Sequence, residues 1–87
     1  MRIWFKVIKN NHLLQDTTIT DEGKDTRTHK IFGALEQACY EFDLSRPIWL
    51  EANIKEFKRN AKTRFRQESF VEQIAFDFLE MQVLEED

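Results

Sequence analysis

The stretch Lys55–Arg66, KEFKRNAKTRFR, gathers the residues of this chain best able to recognise a charged partner. Lys55, Lys58, Arg59, Lys62, Arg64 and Arg66 stand against one carboxylate, Glu56, for a local charge of +5. The whole chain of 87 residues carries −3, so the remainder holds −8. Gln67–Asp87 has no Lys or Arg and seven acidic residues, which segregates charge along the sequence. Arginine presents a planar two-pronged donor to carboxylates and phosphates; lysine is a compact point charge. Three readings fit this pattern. In the first, the cations are a solvated helix face, partly balanced by the acidic C-terminal segment through exposed pairs worth ~0–1 kcal/mol each. In the second, they dock an acidic protein partner. In the third, they contact nucleic-acid phosphates, with Phe57 or Phe65 stacking on an unpaired base. The negative charge elsewhere opposes the third reading. On a helix, Lys55, Lys58, Arg59 and Lys62 recur at i, i+3, i+4 and i+7 and form one ridge, with Phe57 turned inward. Arg46 and Trp49, in RPIWL, add to the candidate partner surface, because Trp and Arg are enriched where binding energy concentrates. A Trp equally closes one edge of a core.

Other reactive residues form no recognisable constellation. His12 and His29 are far apart, neither has a second ligand at helical spacing, and one cysteine makes neither a zinc motif nor an internal disulfide. Gly23 and Gly33 belong to no phosphate-cradling run, and no local nucleophile signature occurs. The expectation is therefore no enzymatic activity, no metal and no cofactor. Cys39 falls on an apolar helix face, where a thiol behaves as a small hydrophobe.

That helix is the most legible element. In Thr28–Phe42, THKIFGALEQACYEF, the residues Ile31, Phe32, Leu35, Ala38, Cys39 and Phe42 share one face of a 3.6-residue period. His29, Lys30, Glu36, Gln37 and Glu41 take the opposite face. Gly33 is the one poor helix former and is expected to admit a neighbouring element closely. Asp25 or Thr26 caps the start by accepting orphan amide hydrogens. Residues before Pro47 avoid helical geometry, so the helix ends near Asp43.

The flanking segments read as strands. Arg2–Lys9 alternates, with Ile3, Phe5 and Val7 on one side and Trp4, Lys6 and Ile8 on the other. Asn10-Asn11 tolerates the positive φ of a tight hairpin, and His12–Thr20 returns. Ile48–Leu50 is expected as a short strand, Ala52–Thr63 as a second and more polar helix, and Phe76–Leu84 as a strand with a bulge near Phe78-Leu79. Residues 1–87 then make one α+β domain. An N-terminal hairpin and a C-terminal strand form a small, mainly antiparallel sheet, packed by one main amphipathic helix.

The runs DTRTHKIFGAL, ACYEFDLSRPIWL and KRNAKTRFRQESF resemble a family of short uncharacterised proteins of anaerobic Gram-positive bacteria. The resemblance spans nearly the whole chain and implies no activity, so no functional residue follows from it. With no signal-like start and no apolar run of about 20 residues, a soluble cytoplasmic protein is expected. The function expected is a small non-enzymatic binding or regulatory module acting through protein–protein contacts, a homodimer included. The alternative is nucleic-acid binding through residues 55–66.

Overall fold

A computed structural model describes all residues, Met1–Asp87. The elements run β1 (Arg2–Lys9), β2 (His12–Thr20), α1 (Arg27–Glu41), α2 (Glu51–Asn60), β3 (Lys62–Phe65), a 3₁₀ turn (Gln67–Ser69) and β4 (Phe78–Glu85). The four strands form one antiparallel sheet in the order β2-β1-β4-β3. This is the α+β sheet-and-helix domain expected from the sequence. No helix is long and apolar enough to cross a membrane.

Period-two alternation in β1 sends Ile3, Phe5 and Val7 into the core. Leu79 and Met81 of β4, Thr63 and Phe65 of β3, and Ile19 of β2 join them on the helix-covered face. Asn10 and Asn11 both take positive φ (51° and 64°), the backbone a two-residue hairpin turn requires. α1 lays Ile31, Ala34, Leu35, Ala38 and Cys39 on this face. Its N-cap is Thr26, whose hydroxyl accepts the His29 N–H, while Asp25 accepts from the His29 ring instead.

Several expectations change. Phe32 is 46% exposed, because α1 turns that flank toward α2 rather than onto the sheet. Lys30, read as solvent-facing, is 3% exposed; its stem is covered and its ammonium is held by Asp87. Gly33 faces open space, so no element approaches it closely. Ile48–Leu50 is not a strand. It is an extended lead-in to α2, tied by the Ile48 N–H to the Ser69 carbonyl and ending at the N-cap Leu50. α2 stops at Asn60, not Thr63, because Ala61 adopts left-handed backbone (φ 53°), and the next four residues supply the sheet's last strand. Phe65, which sequence spacing left in a polar stretch, is fully buried. The last strand begins at Phe78 without a bulge at Phe78-Leu79; pairing shifts instead between Arg2 and Ile3 against β4, and between Val7 and Ile8 against β2.

Candidate functional site

The break at Ala61 divides the basic segment between two surfaces. Lys55, Lys58 and Arg59 stay on α2; Lys62 and Arg64 move to β3, and Arg66 follows just beyond it. A single ridge ending at Lys62 therefore does not exist. A left-handed residue redirects the chain there, and helical spacing no longer applies.

The β3 cations lie on the sheet face that no helix covers. Strand register sets Asp16, Lys6, Glu80 and Arg64 in one row across all four strands, alternating in charge. Glu80 is only 5% exposed and accepts from Lys6 Nζ at 2.5 Å and Arg64 Nε at 2.9 Å. Burial pushes its carboxyl up, but the two hydrogen-bonded cations outweigh burial and hold it below the ordinary carboxylate range. Lys6 also sits 3.9 Å over the Trp4 ring, whose indole N–H donates to Asp16 at 2.8 Å. The Arg64 and Arg66 guanidinium groups lie 4.5 and 5.7 Å from the centre of the Phe78 ring. The face is thus largely self-satisfied: its rings are occupied by its own cations, and a single-layered sheet meets water through paired charge.

The second surface is a groove between α1 and α2, about 270 Å³ in volume. Trp49 forms its floor, meeting Phe32, Phe57 and Phe65 edge to face at 6.1, 5.5 and 5.0 Å. Trp49 therefore does close one edge of the core, and the Trp49 indole N–H is buried with no protein acceptor. Phe32 and Ile54, 46% and 42% exposed, form the walls. Arg27 and Lys58 stand at the rim, and a second lobe of about 490 Å³, sharing Phe32 and Trp49, runs to Arg46. No carboxylate lines either lobe. Arg27 is paired with Glu86 and Arg46 with Glu36, whereas Lys58 forms no ion pair. Lys55 is paired along its own helix with Glu51. Arg59, Lys62 and Arg66 form no ion pair.

The groove is held by a buried polar cluster that sequence reasoning missed. Asn53 of α2 donates to Thr63 Oγ1 at 2.9 Å and to the Arg64 carbonyl at 3.0 Å. Its oxygen accepts from the Leu50 N–H and the Ser69 hydroxyl. One amide thus ties the start of α2 to β3 and the 3₁₀ turn. The signal available was weak: an Asn three residues after a non-capping Leu, where a capping box has a side chain reaching back to the N-cap amide. Phe32 shares the helical period of the core face, and nothing local in the sequence distinguishes it as groove wall.

The acidic tail does not neutralise α2. Glu86 pairs with Arg27, and Asp87 pairs with Lys30 and the amino group of Met1, on the α1 side. Cys39 is buried, and no group of three or more His, Cys, Asp or Glu side chains converges. Compared with protein-family models, curated proteins and solved structures, the chain matches none.

Proposed function

We propose that the protein is a small binding module that takes an acidic, apolar-anchored segment of a protein partner into the α1–α2 groove. The observation that carries this reading is the groove's composition. Exposed Phe32 and Ile54 flank a Trp49 floor, and every charged residue lining the two lobes is a cation. Apolar anchors in a desolvated pocket supply affinity, and the surrounding charge selects the partner and its register. Lys58, free of any internal carboxylate, is the natural contact for a partner's Asp or Glu. The phosphate-backbone reading has less behind it, because Lys6 and Arg64 on the open sheet face are already committed to Glu80.

Selection of linear peptides on the immobilised protein tests the proposal. Enriched sequences should join a large apolar residue to Asp or Glu. Lys58→Glu should weaken the selected peptide at least ~10-fold, about 1.4 kcal/mol. Phe32→Asp should abolish binding, and Lys62→Glu, on the other surface, should leave it unchanged. Enrichment without acidic residues, or indifference to both groove substitutions, would overturn the reading.

A further inference from the structure

Two strands bound the sheet, and their free edges differ. β3 has four residues, carries Lys62 and Arg64, and is packed by α2. Shortness, side-chain charge and a covering helix are devices by which natural edges refuse a further strand. β2 lacks them. Its nine residues include no Lys, Arg, Pro or Gly, and its one carboxylate, Asp16, is engaged by Trp4. Its irregularity, where pairing with β1 shifts at Leu14, lies near the turn and leaves Gln15–Thr20 in regular pairing with β1.

The outward backbone groups of that run follow from the ladder. Met1 and Asp21 exchange both backbone bonds, each 2.9 Å long. Antiparallel pairs alternate between bonded and non-bonded. The pairs Ile3–Ile19 and Phe5–Thr17 are therefore bonded, and Asp16, Thr18 and Thr20 turn their N–H and C=O groups away from β1.

We infer that β2 pairs antiparallel with β2 of a second copy about a two-fold axis, joining two four-stranded sheets into one. The axis passes Thr17. Asp16 and Thr18 then exchange backbone bonds with Thr18 and Asp16 of the second copy, and same-face residues stay opposite each other. The two Thr17 residues stand directly opposite each other with their hydroxyls held by Glu41 of their own chains, and the two Asp16 carboxylates are offset rather than opposed. A second copy suits this edge better than a foreign strand because pairing uses up the one receptive edge of each molecule. With β3 blocked, assembly closes at two instead of growing into a fibre. The α1–α2 groove lies toward β3 and stays open, so this inference is independent of the groove.

Sedimentation across a concentration series, combined with amide hydrogen exchange, tests the dimer. The wild-type chain should pass from one to two chain masses. The Asp16 and Thr18 amides should gain protection as concentration rises, while the Thr17 and Ile19 amides are protected throughout. Thr18→Pro removes one outward donor at a position where an edge strand tolerates proline, and should give a folded monomer. Thr18→Val keeps the outward backbone donor and a strand-favouring side chain, and should retain the dimer. A chain monomeric at every concentration, concentration-independent exchange at Asp16 and Thr18, or a monomeric Thr18→Val would overturn the inference.

Discussion

At the residue scale, burial decides reactivity. Cys39 sits among Ile31, Leu35 and Ala38 on the face of α1 that meets the sheet. Burial pushes its thiol up to about 11, so almost no thiolate exists at neutral pH and access is closed as well. Alkylation should be very slow in the folded protein and fast in denaturant; equal rates would place the α1 face wrongly. The placement of Cys39 was legible because helical period and apolar neighbours agree. Lys30 was not, because its burial depends on Asp87, 57 residues away in sequence, arriving to neutralise it.

At the element scale, the decisive feature is the end of α2. Ala61 occupies left-handed backbone at φ 53°, where an alanine Cβ crowds the following carbonyl. Ala61→Gly should therefore stabilise the domain by about 0.5–1 kcal/mol, read as a higher midpoint in urea with an unchanged slope. A lower midpoint would mean that the half-buried methyl group matters more than the strain. This turn also explains why a helix was expected as far as Thr63. Lys, Arg and Ala favour a helix locally, and the chain leaves it only because Thr63 and Phe65 have a place beside Met81 and Leu79 in the sheet. The hairpin needed no such help, since alternation in β1 and the Asn-Asn turn are local signals.

At the scale of the whole molecule, carboxylates bind distant elements together, and acid should release them. Arg27 holds Glu86, and Lys30 with the Met1 amino group holds Asp87, below the ordinary carboxylate range. Glu80 is held down by Lys6 and Arg64 despite burial. A carboxyl whose native pKa is depressed contributes its stability fully above the unfolded value, near 4.5 for Glu80, and loses it as pH falls through the lower native value. Stability should accordingly be flat above about pH 5 and fall on acidification below it. Glu80→Gln should cost about 1–3 kcal/mol at neutral pH and make the acid limb shallower, as followed by thermal melts at stepped pH. An acid limb of undiminished slope would show that the row of charges across the sheet contributes nothing.

The parts of this protein whose causes are local could be read from its residues alone. The period of two in β1, the positive-φ asparagines and the 3.6-residue stripe of α1 each specify their element, and together they specify an α+β sheet with a helix on one face. Charge segregation was equally visible, and so were Trp49 and Arg46 as residues to watch. Where the basic segment's charges go depends on the folded arrangement. A single left-handed residue sends Lys58 to the rim of the groove and Lys62 to the opposite surface, and Glu80 claims Arg64 through strand pairing. The same arrangement also placed Phe32 in a groove wall and not in the core, and tied α2 to β3 through Asn53. These outcomes rest on contacts between segments remote in sequence, and propensity and periodicity measure only near neighbours.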